Sequence, residues 1–163
     1  MKAAKLFLII AFIYVLQAVV VSRFTIFGVK ADMLLIVTAI SAVTFGAEKG
    51  FLVGLCCGIV QDVLGGSLYL HTISKAVLGF IVGTFKESVF GTEEMVALSA
   101  VLVATITNYL LELMLLFFFF GKPIASLLVI ITSLAISCLL NSIIAPLLYP
   151  AVRFGSKLLV AEQ

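Results

Sequence analysis

The sequence predicts an all-α fold: a polytopic membrane bundle of about six transmembrane helices, forming one integral membrane domain over residues 1–163. Three observations predict it. Of the 163 residues, 64% are hydrophobic and 11% charged, against about 45–50% and about 25% in a soluble domain. Apolar runs recur at the length a bilayer core requires, about 20 residues per helix, and the chain has room for about six of them. Runs such as LLELMLLFFFF do not alternate, as the strands of a transmembrane barrel would. No polar segment is long enough for a separate soluble domain, and no repeat, linker or low-complexity tract is visible.

Span one covers roughly Lys5–Ser22 and closes at Arg23. Its start, two lysines and then an apolar stretch, resembles a signal peptide. The run from Leu6 to Val21 is long for a cleaved signal and more spans follow, so an uncleaved first helix is expected. Span two covers roughly Met33–Ala47, with Asp32 as its N-cap, and Glu48-Lys49 interrupts it. Span three covers roughly Gly50–Leu64 and is broken by Gly65-Gly66-Ser67. Span four covers roughly Tyr69–Phe85, followed by the only strongly polar loop, Lys86–Glu94. Span five covers roughly Met95–Phe120, broken by Gly121–Pro123. Span six covers roughly Ile124–Leu148, followed by Pro150 and a basic tail with Arg153 and Lys157.

Six spans put both termini on one side. With the termini inside, Lys2, Lys5, Lys49, Lys86, Arg153 and Lys157 are cytoplasmic. Arg23, Lys30, Lys75 and Lys122 face outward, a positive-inside bias that favours N-in, C-in. Spans two and three are short: fifteen residues rise about 22 Å, against a core of about 30 Å. Either their ends snorkel or the bilayer thins locally.

Net charge is +2 and no basic run suggests nucleic acid. Cys56, Cys57 and Cys138 lie inside apolar runs and read as small buried residues, with no disulfide or metal framework. His71 is the only histidine and reads as a hydrogen-bonding residue near a turn. No Ser-His-Asp set, HExxH or phosphate loop is present. No catalytic residue, metal site or cofactor is therefore expected, nor enzyme activity.

Gly46, Gly50, Gly54 and Gly58 recur at spacing four, and Asp62 is the next position on that stripe. Gly79 and Gly83 form a second such pair in span four. In lipid, glycine permits the close backbone approach that gives helices their dispersion contact. The stripe packs span three inside its own bundle or presents a face to another subunit. A carboxylate at mid-membrane costs about 2.5–3.5 kcal/mol, less near the interface, so Asp62 needs partners. Backbone N–H groups of the turn, Ser67, His71 and Lys75 are candidates, with Gly65-Gly66 letting the chain fold back. Three roles are open to Asp62: fixing the turn, contacting a partner, or handling a proton or ion.

Span five carries Thr105, Asn108 and Glu112 at i, i+3, i+7 on one face. Glu112 is the most deeply placed charge, with no lysine or arginine at similar depth, and burial disfavours a charged form. Span six presents Ser126, Ser133, Ser137 and Asn141 near one stripe, then Pro146, where a helix can kink. The two polar faces are expected to meet, by interhelical hydrogen bonds or around a cavity.

Several segments together resemble a known family. GFLVGLCCGIVQDVLGGSLYLHTISKAVLGFIVG (Gly50–Gly83) resembles the central signature of the bacterial rod shape-determining protein MreD family. VKADMLLIVTAI (Val29–Ile40) resembles that family's start of span two, with Ala31 where proline is common. NSIIAPLLYP (Asn141–Pro150) resembles its closing N-x4-P pattern. The resemblance implies a non-enzymatic scaffold subunit of the elongasome, supporting peptidoglycan synthesis in the lateral cell wall and rod shape. It implies a fold similar to the substrate-binding subunit of energy-coupling-factor transporters. It also implies binding to the single-span protein MreC and, through it, links to MreB, RodA and a class B penicillin-binding protein; a homodimer is a further possibility. Carried over residue by residue, the implied contact region is Asp32, Gly54, Gly58, Asp62, Gly65, Gly66, Asn141 and Pro146. On this basis spans three and four, with Asp62 at their turn, are expected to dock the MreC helix or a second copy.

The alternative is a substrate-binding subunit of a vitamin transporter, with an outward cavity lined by Asn108, Glu112, Tyr109 or Asn141. Such subunits usually carry Ala-x3-Ala in span one. Here span one has only Ala11 and Ala18, and Ala100-x3-Ala104 lies in span five. An ion or proton channel would need more intramembrane polar groups than Glu112 and Asp62.

Overall fold

The computed structural model describes residues 2–19, 23, 25–66, 69–86, 92–123 and 125–160, with side chains from Ile9 to Arg153. Among them are six helices and no extended strand: α1 (Lys2–Val19), α2 (Met33–Phe45), α3 (Ala47–Gly65), α4 (Leu70–Thr84), α5 (Glu93–Phe120) and α6 (Leu127–Val160). Two stretches, Glu93–Phe120 and Leu127–Arg153, are long and apolar enough to cross a membrane. The apolar stretches of α1, α2 and α4 are shorter.

α2 is the central post, touching all five other helices. Residues Met33 to Ala42 are buried without interruption, because the helix is apolar on every side and has no face to offer water. Asp32 starts it: its backbone is extended and its carboxylate accepts from the Leu35 N–H at 3.0 Å. The expected break at Glu48-Lys49 is displaced. α2 ends one residue before Gly46, whose φ of 91° turns the chain straight into α3. Glu48 and Lys49 instead sit in the first turns of α3, where the acid favours the helix N-terminus. Gly46 therefore leaves the helical stripe, which on α3 is Gly50, Gly54, Gly58 and Asp62.

α3 and α4 form an antiparallel hairpin packed backbone to backbone. A methyl group added at Gly54 would fall inside the Lys75 carbonyl, and at Gly50 against the Gly79 carbonyl. At Gly58 it would meet the Thr72 backbone, and at Gly83 that of Ala47. Gly65 and Gly66 are exposed, and Gly66, at φ 69°, closes α3. The glycine ridge of α3 is thus filled within the chain, mainly by α4, with Ala42 and Thr38 of α2 also against it.

α5 and α6 form a longer hairpin, about 42 Å along α5 against about 20 Å along α2. The expected end of span six at Leu148 is also displaced. α6 runs through Pro146 and Pro150 to Val160, as a membrane helix can when neighbours compensate for the lost donors. Glu93, at the start of α5, is bonded to Arg153 and accepts from the Tyr149 hydroxyl at 3.0 Å.

The surface is inverted relative to a water-soluble protein. Phe118, Phe119, Leu127, Leu128 and Leu147 are each at least 70% exposed, while Lys75, Asn108, Asn141 and Asp62 are buried. Apolar outside and polar inside is the arrangement a hydrocarbon surround favours.

Candidate functional site

The buried polar side chains join into one knot around the N-terminus of α2. Asp32 is its hub. One carboxylate oxygen caps α2, and the other accepts from Lys75 Nζ at 2.6 Å. The Asp32 N–H donates to Asn141 Oδ1 at 2.9 Å, and Asn141 Nδ2 donates to Thr105 Oγ1 at 3.0 Å. A single residue thereby ties α2 to α4 and α6, and through Asn141 to α5. Gln17 of α1 accepts from the Leu34 N–H at 3.3 Å, bringing in the first helix.

Lys75 is fully buried. An unpaired ammonium at that depth would be expensive, and its contact with Asp32 neutralises it. Lys75, expected among the outward-facing charges, is instead buried, and it lies one turn along α4 from His71, the partner of Glu112, where no lysine or arginine is expected. The signal was present: His71, Lys75, Gly79 and Gly83 recur at spacing four, so the lysine shares the stripe that α4 turns towards α3.

Asp62 reaches the start of α4. It accepts from the His71 N–H at 3.2 Å, the Thr72 N–H at 2.7 Å and the Thr72 hydroxyl at 2.6 Å. The residue before α4, Tyr69, has φ 56° and no capping side-chain bond. A carboxylate from the end of α3 supplies the missing cap and meets the positive end of the helix dipole. Of the roles open to Asp62, turn-fixing is the one its contacts fill. Ser67, another candidate partner, lies outside the described residues.

Glu112 forms the second half of the knot. Its Oε1 meets His71 Nδ1 at 2.8 Å and accepts from Asn108 Nδ2 at 2.9 Å and the Ser74 hydroxyl at 3.4 Å. The Glu112 and His71 side chains keep 23% and 20% of their exposure. Among the described residues, two buried oxygens, Asn108 Oδ1 and Gln61 Oε1, have no hydrogen-bond partner.

The polar faces of α5 and α6 meet at Thr105 and Asn141. Further along α6 the pairing stops: Ser137 donates to its own helix at Ser133, and Ser126 is exposed. Among the described residues no three His, Cys, Asp or Glu side chains converge as a metal site requires. A groove of about 850 Å³ lies at the other end of the same hairpin, between the start of α5 and the proline-bearing stretch of α6. Neither Asn108, Tyr109, Glu112 nor Asn141 lines it. No family model, curated protein or solved structure matches the chain.

Proposed function

We propose that this protein is a non-enzymatic, multi-pass scaffold of the bacterial cytoplasmic membrane. In this reading it is MreD-like, binds MreC, and supports lateral cell-wall synthesis and rod shape. The observation that carries the reading is the convergence of the quoted motifs. Asp32, Asp62 and Asn141 come from three separate stretches of resemblance, and each bonds across helices: Asp32 to Lys75 and Asn141, and Asp62 to the start of α4. Their work is architectural, with carboxylates and amides locking helices. That suits a protein that holds others in place.

Six crossings with both termini inside fit the apolar exterior and the short inner helices, given local thinning of the bilayer. Moving Lys75 into the core leaves Arg23, Lys30 and Lys122 outside against six cations inside, which sharpens the positive-inside bias. The test is depletion of the protein in its host together with co-purification of the MreC-like protein. Loss of rod shape and recovery of that partner are expected. Normal rods on depletion, with no partner recovered, would sink the proposal.

A second reading, a substrate-binding subunit of a vitamin transporter, draws on one observation. Glu112 and His71 remain partly exposed beside the unpartnered Asn108 oxygen. Tight binding of a vitamin by the purified protein, weakened by Glu112→Gln, would favour it.

A further inference from the structure

We infer that Glu112, Asn108 and His71 form a binding site for a primary ammonium group, carried by an ethanolamine lipid headgroup or by a small free amine. The inference rests on the multi-pass membrane reading, and a free amine would name the ligand class of the second reading. Two independent observations carry it. The first is charge. The knot holds three carboxylates, Asp32, Asp62 and Glu112, against one ammonium, Lys75, which is bonded to Asp32. Asp62 is met by the start of α4. Glu112 has only His71, Asn108 and Ser74, all on Oε1. Its Oε2 bonds to no described residue, and the side chain keeps 23% of its exposure. A carboxylate left open at the edge of hydrocarbon calls for a cation. The second observation is the orphaned amide oxygen. Asn108 is 5% exposed, and its Oδ1 has no hydrogen-bond partner among the described residues. Because Nδ2 of the same amide donates to Glu112, that oxygen is held beside the carboxylate.

The atoms select the chemistry of the occupant. Nδ1 of His71, facing a carboxylate, carries the ring hydrogen, which leaves Nε2 of the neutral ring an acceptor. Glu112 Oε2, Asn108 Oδ1 and His71 Nε2 are thus three acceptors within reach of one small group. The donors beside them, Asn108 Nδ2, His71 Nδ1 and Lys75 Nζ, are spent on carboxylates. An ammonium brings three N–H donors and one positive charge. A guanidinium fork engages both oxygens of a carboxylate, and Oε1 already takes three donors. Among the described residues no third His, Cys, Asp or Glu converges there to complete a metal site. With the termini inside, the site opens at the outer ends of α4 and α5, the level of lipid headgroups. Further in on the same two helices, Val77, Phe80, Val103 and Ile106 are exposed and offer acyl chains an apolar surface.

The test uses the full chain purified in detergent and the ring nitrogen NMR signals of its single histidine, read at fixed pH. Retention in the membrane after carbonate washing is checked first. A chain that washes off would overturn the multi-pass reading and this inference with it. For a chain that stays, phosphatidylethanolamine should shift the His71 signals. Phosphatidylcholine with the same acyl chains, which carries the charge without an N–H, should not. Glu112→Gln should lower the affinity for phosphatidylethanolamine at least about tenfold, the scale of a charged hydrogen bond. Asn108→Leu should lower it while the melting temperature of the lipid-free protein holds. Free ethanolamine that shifts the signals as far as the lipid does, at equal concentration, would keep the site and assign it to a soluble amine. Silence towards both amines, an equal response to phosphatidylcholine, or an affinity unchanged in both variants would overturn the site and leave the membrane reading standing.

Discussion

The α3–α4 and α5–α6 hairpins lean on the same central helix and are held by opposite means. In α3–α4 the contact is main chain on main chain, with glycine at Gly50, Gly54, Gly58, Gly79 and Gly83. In α5–α6 the helices carry large apolar side chains, and named polar contacts appear at two levels, Asn141 with Thr105 and Glu93 with Arg153 and Tyr149. The first hairpin has little tolerance for added volume along its glycine seam, and its outer side exposes Leu52, Val63, Ile73 and Phe80. The second leaves a groove at one end, and at the other the residues after Glu112 run past the start of α4, where Phe117 to Phe120 are exposed. The difference teaches that a glycine ridge in a membrane chain marks an interface without saying whose. Here the interface is satisfied within the chain.

Substitutions can break or sharpen this contrast. The largest effect is expected from Gly54→Leu, because its Cβ alone falls inside the Lys75 carbonyl. Overpacking typically costs about 1–3 kcal/mol, and a clash with main chain should exceed that and leave no folded monomer by size-exclusion chromatography in detergent. A folded, monodisperse Gly54→Leu protein would refute the backbone-to-backbone packing. Lys75→Met comes next. It strands the Asp32 carboxylate, and loss of one partner of a buried pair costs about 3–5 kcal/mol. The double change with Asp32→Asn keeps a capping side chain and removes the stranded charge, so thermal unfolding should show most of the loss recovered. Asp62→Ala removes the cap on α4 and should cost about 1–2 kcal/mol, read as faster amide exchange at His71 and Thr72. Asn141→Ala should cost about 0.6–1.7 kcal/mol, the range of interhelical hydrogen bonds in a membrane protein. Phe118→Ala, on the exposed part of α5, should stay within about 0.5 kcal/mol of the parent. A loss as large as that of Asp62→Ala would mean that this tip is packed rather than bathed in lipid.

Much of the fold was legible because glycine, proline and charge punctuate an otherwise uniform apolar text. The six helical segments follow from those breaks, and the stripe Gly50, Gly54, Gly58, Asp62 is visible as spacing alone. The errors have physical causes. Gly46 has the right spacing for the stripe, yet its positive φ makes it the hinge, and spacing says nothing of φ. Lys75 was read as a surface charge because lysine in an apolar chain ordinarily sits at an interface. Its true depth depends on Asp32, 43 residues away in sequence. Span six reads from the sequence as ending at Leu148, before Pro150, but α6 continues past both. The α5–α6 groove was out of reach for a different reason: it exists only through the relative lengths and tilt of two helices, which no local pattern encodes.

On the multi-pass reading proposed above, the buried ammonium at position 75 also imposes an order on biogenesis. Released singly into hydrocarbon, α4 would carry a bare charge costing about 2.5–3.5 kcal/mol, and the carboxylate bonded to it waits at the head of a helix translated much earlier. The two must therefore leave the insertion machinery together, with α3 drawn along between them, so that the smallest exportable unit is three helices. Nascent chains cut after α3 should stay cross-linked beside the insertase, whereas chains cut after α4 should diffuse away.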